Sequence, residues 1–89
     1  MTMPDERSRA LVWAGGFLIE LARDKSLPLQ TRRRAVSVAR HFPTIEQLDA
    51  MAISDPACGL ERPSKHPSWV EQCRFGPLRY STGFTWPDE

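Results

Sequence analysis

Only two of the 89 residues are cysteines, Cys58 and Cys73. A small secreted domain stapled by disulfides carries more, so that class is excluded. Net charge is scarce as well, with twelve Lys/Arg against eleven Asp/Glu. The chain as a whole therefore carries no electrostatic address for nucleic acid or a charged membrane. Long hydrophobic runs are absent. The apolar stretch Leu11–Ile19 spans nine residues and closes at Glu20, too short to cross a bilayer. Asp5 and Glu6 stand where a signal peptide carries positive charge only. These absences read as a cytoplasmic protein with both thiols reduced.

Chemical motifs are missing too. There is no Walker loop, G-x-G-x-x-G, H-E-x-x-H, G-x-S-x-G or C-x-x-C. Cys58, His66 and Cys73 are spaced like no common zinc site, and a fourth ligand would have to be His41 or a distant acid. Cys73 with His66 offers a candidate nucleophile and base. One cysteine and one histidine in a proline-rich stretch is a weak basis for catalysis. The reading is a non-enzyme with no catalytic residue, metal or cofactor.

What is present is helical periodicity. A chain of this length allows one small domain. A first helix is expected from Pro4 to Asp24, with Pro4 in the first turn and Asp5 and Glu6 complementing the positive helix end. Leu11, Gly15, Leu18 and Ala22 fall on one line of it, flanked by Val12, Ile19, Ala14 and Leu21. Gly15 in mid-stripe predicts close approach of a second helix; periodicity offers no reason for Gly16. Ser26 is expected to cap a second helix with Pro28 in its first turn, ending near Phe42 before Pro43. Thr44 and Gln47 form a capping box opening a third helix that Asp55-Pro56 ends. The predicted core is Leu11, Leu18, Ala22, Ala35, Ala39, Phe42, Leu48 and Met51.

Composition shifts at Pro56. From there on come five of the eight prolines and three of the five glycines. Ser68 and Glu71 repeat the capping-box spacing, so a helical turn is expected over 69–74. Leu78, Tyr80, Phe84 and Trp86 then fall on even positions, with Arg79, Ser81, Gly83 and Thr85 between them. That period of two fits a short hairpin, or an extended segment laying alternate aromatics on the helices. The expected fold is mainly α: a helical hairpin plus third helix over residues 1–55, and an irregular segment over 56–89 packed on it as part of one domain.

The chain's first half is similar to a family of small proteobacterial proteins of uncharacterised function. The pattern is carried by Pro4, Glu6, Arg7, Arg9, Ala10 and Leu11, then Leu21, Ala22, Arg23 and Asp24. Ser26, Leu27 and Pro28 follow, and Arg40, His41, Phe42 and Pro43 close it. The resemblance implies a cytoplasmic bacterial protein and brings no activity, ligand or site residues.

Two surfaces attract a functional reading. "TRRRAVSVARHF" (residues 31–42) holds four arginines and a histidine with no acid. On a helical wheel Arg33, Ser37 and Arg40 stack opposite Ala35, with Arg34 and His41 beside them. Val38, Ala39 and Phe42 lie near Ala35, and Arg32 points into the edge of the apolar arc as a snorkelling arginine with a wet head. Such a face is a solvated surface neutralised by Glu20, Asp24, Glu46 or Asp49, a site for an acidic protein partner, or a nucleic-acid backbone contact. Trp13 and Phe17, outside the first helix's apolar stripe, are either covered by the tail's aromatics or form a patch that meets a partner or a second copy of the chain. The candidate partner-binding residues are Arg33, Arg34, Arg40, His41, Trp13 and Phe17. The expected function is a small regulatory or adaptor protein acting by protein–protein binding. A nucleic-acid-binding regulator using the basic helix, and a structural domain with no separable activity, are the alternatives.

Overall fold

A computed structural model describes residues 3–80 of the chain. It is mainly helical, with no strand among the described residues. Helix α1 is Pro4–Arg23, α2 is Leu29–His41 and α3 is Ile45–Ser54. Two short 3-10 turns follow, Pro56–Cys58 and Pro67–Trp69. No described helix is long and apolar enough to cross a membrane.

The helix ends follow from local chemistry. In α1, Pro4 opens the first turn and the Glu6 carboxylate accepts from the Met3 N–H at 3.4 Å. The box at α3 forms as its spacing predicts: Gln47 N–H donates to Thr44 Oγ1 at 3.2 Å and Thr44 N–H to Gln47 Oε1 at 2.9 Å. The start of α2 is different. Pro28 occupies the cap position and makes no side-chain cap bond. Ser26 instead donates its N–H to Asp24 Oδ1 at 3.0 Å, and its hydroxyl donates to the same oxygen. Asp24 competes for Ser26 because the two sit two residues apart, the span of an Asx turn. Those two bonds also hold the Asp24 carboxyl below its ordinary pKa.

The α1–α2 link is short and the helices run antiparallel: Arg32 meets Ala22 near the turn, while Phe42 reaches Gly15. Ala22, Ala35 and Val36 form the core there, with Leu18 and Leu21 against them. The buried stripe of α2 is Arg32, Ala35, Val36 and Ala39. It is rotated from the expected arc, so Val36 is fully buried and Val38 is 51% exposed. Arg32 explains the rotation. It is only 6% exposed, and its Nε donates to the Ala22 carbonyl at 3.2 Å. That carbonyl is one of the four that α1 leaves unpaired at its C-terminus, where a cation also meets the favourable end of the helix dipole. The head is thus bound, not wet as the wheel position of a snorkelling arginine predicts: the guanidinium's bond to the helix-end carbonyl holds it inside.

The C-terminal segment builds the second half of the core. Val12, Leu48, Trp69 and Cys73 pack together with Leu11, Trp13, Ile45 and Leu60 around them. Ser8 is fully buried and clips this segment to α1: its hydroxyl donates to the Glu61 carbonyl at 2.7 Å and accepts the Glu61 N–H at 2.8 Å. Arg7 adds a bond to the Gly59 carbonyl at 3.2 Å. Leu78 is buried, and its carbonyl accepts the Ile45 N–H at 2.9 Å, an otherwise unpaired donor of α3's first turn.

Both α1 glycines serve this segment. A Cβ on Gly15 would lie 3.0 Å from Leu78 Cβ, and one on Gly16 would lie 2.5 Å from Cys73 Sγ. The close approach expected at Gly15 is therefore made chiefly by the C-terminal segment, with Phe42 next at 3.7 Å. Of the predicted core, Ala22, Ala35, Ala39 and Leu48 are buried, while Leu11, Leu18 and Phe42 are half-buried. Met51 is 43% exposed, because only one side of the short α3 has anything to pack against. The helical turn expected over 69–74 with Ser68 as its cap is not formed: the 3-10 turn lies earlier, at Pro67–Trp69, and its cap is His66, whose Nδ1 accepts the Ser68 N–H at 3.1 Å. The period-two pattern is met at Leu78 and broken at the exposed Tyr80; Ser81, Gly83, Phe84, Thr85 and Trp86 lie outside the described residues.

Candidate functional site

The outer side of the α1/α2 hairpin is a face that the described part of the C-terminal segment, residues 56–80, leaves exposed at Phe17, Arg33, Arg34 and Val38. On α2, Arg33, Arg34, Arg40 and His41 are all exposed. Three of the four acids expected to neutralise them are engaged elsewhere. Asp49 binds Arg62 through two bonds of 2.7 and 3.3 Å, and Arg62 accordingly holds the Asp49 carboxyl below its usual pKa. Glu46 pairs with Arg79 at 3.6 Å and accepts the Tyr80 N–H at 3.2 Å. Asp24 is turned to Ser26. Arg40 is engaged in an interaction of its own. Arg33 and Arg34 have no ion pair among the described residues. They border an open recess of about 500 Å³ with Leu29, Gln30 and Ser37.

Arg34 also borders a second recess, of about 260 Å³, running between the two helices. Leu18 and Leu21 of α1 face Thr31, Ala35 and Val38 of α2 across it. Phe17, one turn before Leu21, is 54% exposed and extends the apolar strip along α1. The face thus combines the apolar side chains Phe17, Leu18, Leu21 and Val38 with the cations Arg33 and Arg34, Arg34 bordering both recesses. The sequence reading missed Val38 and Leu21 as surface residues. The i, i+4 spacing of Phe17 and Leu21 was the available signal for one of them; Val38 had none, since Val36 and Val38 are indistinguishable by type.

The other candidates lie elsewhere. Trp13 is half-buried, and its Nε1–H donates to the Trp69 carbonyl at 3.1 Å. The Arg9 guanidinium sits 5.7 Å from the Trp13 ring centre and 5.4 Å from that of Trp69, and Asp5 steadies it at 3.6 Å. Trp13 therefore belongs to the seam with the C-terminal segment, apart from Phe17. His41 borders a third recess with Pro43, Gln47, Ala50, Met51 and Tyr80. Cys58 and Cys73 are free thiols. Burial pushes the Cys73 pKa up, which keeps the thiol protonated. Its sulfur faces the Val12 carbonyl at 3.8 Å, while His66 is bound to Ser68, so they form no nucleophile–base pair. No group of three His, Cys, Asp or Glu residues among those described is placed to hold a metal. No protein-family model, curated protein or solved structure matches this chain.

Proposed function

We propose that this chain is a non-enzymatic adaptor or regulator that binds another protein through the outer face of the α1/α2 hairpin. One observation carries the reading: Arg33 and Arg34 are exposed, with no acidic partner among the described residues, beside an exposed apolar strip. A merely solvated helix face has no need of Phe17 and Val38, both more than half exposed. A nucleic-acid backbone would use the arginines but leave that strip without an occupant, and two cations release few counterions.

The test is retention of a native partner on the immobilised full-length chain. Arg33→Gln/Arg34→Gln is expected to lose the partner while keeping the melting temperature. Retention of duplex DNA in place of protein, falling steeply with salt and lost in the same variant, would replace this reading with the nucleic-acid one.

A further inference from the structure

We infer that the occupant of this face is an acidic amphipathic helix, seated with its apolar side between α1 and α2 and its carboxylates on Arg33 and Arg34. The inference rests on the protein-binding reading and specifies its partner. Its warrant is the order of chemistry across the face. Leu18 and Leu21 of α1 and Val38 of α2 line the recess between the helices, Arg34 borders that recess and the next, and Arg33 lies beside it on the second. No acid of α2 interrupts this face, because no Asp or Glu occurs in residues 31–42. A ligand complementary to the apolar recess and to the two arginines beside it is apolar along one side and anionic along the next.

Its backbone form follows from the modes available. Strand addition needs a sheet edge, and the described residues contain no strand. A polyproline ligand needs an aromatic-lined groove, and Phe17 is the single aromatic here. Two antiparallel helices with an apolar valley between them accept a third helix by ridge-into-groove packing. α2 has 13 residues and is about 20 Å long, so a helix of three to four turns matches it. A second copy of this chain is a poorer fit. The exposed apolar residues of α3, Met51 and Ile53, lie about 200° apart round the helix and make no single apolar face, and the α3 carboxylates Asp49 and Glu46 are already bound to Arg62 and Arg79. Such a contact would also be heterologous and need not close.

The experiment uses the full chain and a labelled synthetic peptide of about 14 residues, capped at both ends, with Leu on one helical face and Glu along the flank. A peptide of the same composition with the helical spacing scrambled is the control. The expected result is saturable one-to-one binding of the first peptide with a gain of helical signal, and weak binding of the control. Arg33→Gln/Arg34→Gln and Phe17→Gln/Val38→Gln should each weaken it roughly tenfold. Equal binding of the scrambled peptide, or indifference to Phe17→Gln/Val38→Gln, overturns the inference by reducing the face to plain charge attraction. Concentration-dependent dimerisation abolished by Phe17→Gln/Val38→Gln overturns it in favour of a second copy, and displacement of the peptide by duplex DNA in favour of nucleic acid. If the peptide fails while Arg33→Gln/Arg34→Gln still loses a native protein partner, the helical occupant is wrong and the adaptor reading stands. If both fail, both are wrong.

Discussion

Substituting Gly16 by Ala tests the packing of the C-terminal segment directly. In a free helix interior the change stabilises by about 1 kcal/mol, because glycine has the greater backbone freedom to lose. At this position the added methyl would lie 2.5 Å from Cys73 Sγ, 2.9 Å from Cys73 Cβ and 3.3 Å from the Gly76 carbonyl oxygen. Unstrained heavy atoms sit about 3.5–4.0 Å apart, so Cys73 must retreat by roughly an ångström. It has little room to do so. Its N–H is bonded to the Val70 carbonyl at 2.9 Å and its carbonyl accepts the Gly76 N–H at 3.0 Å. Overpacking of this kind costs about 1–3 kcal/mol, which exceeds the propensity gain. Taking the middle of that range, net destabilisation of about 1 kcal/mol is expected, a fall in melting temperature of roughly 4–8 °C. Gly15→Ala is the internal control: its nearest contact is 3.0 Å to Leu78 Cβ, so propensity and crowding should nearly cancel. Urea denaturation of Gly16→Ala, Cys73→Ala and the double variant measures the coupling, which should recover about 1 kcal/mol because the shortest contact is with the sulfur. If Gly16→Ala stabilises the protein as a solvent-facing helical glycine would, the docking of Cys73 against α1 is refuted.

Ser8→Ala should cost about 1–3 kcal/mol in urea denaturation, since it strips both bonds from the Glu61 backbone; a cost near zero would show the clip is not closed in solution. Arg32→Gln should destabilise by about 1–3 kcal/mol, while Arg33→Gln stays within about 0.5 kcal/mol, because only Arg32 is buried against a helix-end carbonyl. The Cys73 thiol should react with an aromatic disulfide reagent far more slowly than Cys58 in the folded chain, and at the same rate in urea. Its pKa is raised on folding, so the unfolded thiol ionises first: this contribution is complete below the unfolded pKa near 8.5–9 and is lost as pH rises through the folded one, visible as a denaturation midpoint that falls in alkali.

The helix boundaries were legible because they are set by local chemistry. Pro4, the Thr44–Gln47 pair and Pro43 act within one turn of themselves, and nothing distant competes with them. Ser26 was misread for the same reason in reverse: Asp24, two residues away, was the nearer partner. The arginine run was also legible as an exposed face, since periodicity alone sends Arg33, Arg34 and Arg40 outward. Tertiary structure decided the rest. Arg32 and Val36 are inside, and Val38 and Met51 outside, because burial depends on which carbonyl or side chain stands opposite, and those lie on other elements. Gly16 is unintelligible until Cys73, far along the chain, is seen against it. Ser8 looks like any polar residue of a first helix until the Glu61 backbone arrives to use both of its bonds. Periodicity describes one helix at a time. The fit of a chain segment without periodicity, residues 59–78, is set by long-range contacts that no local pattern encodes.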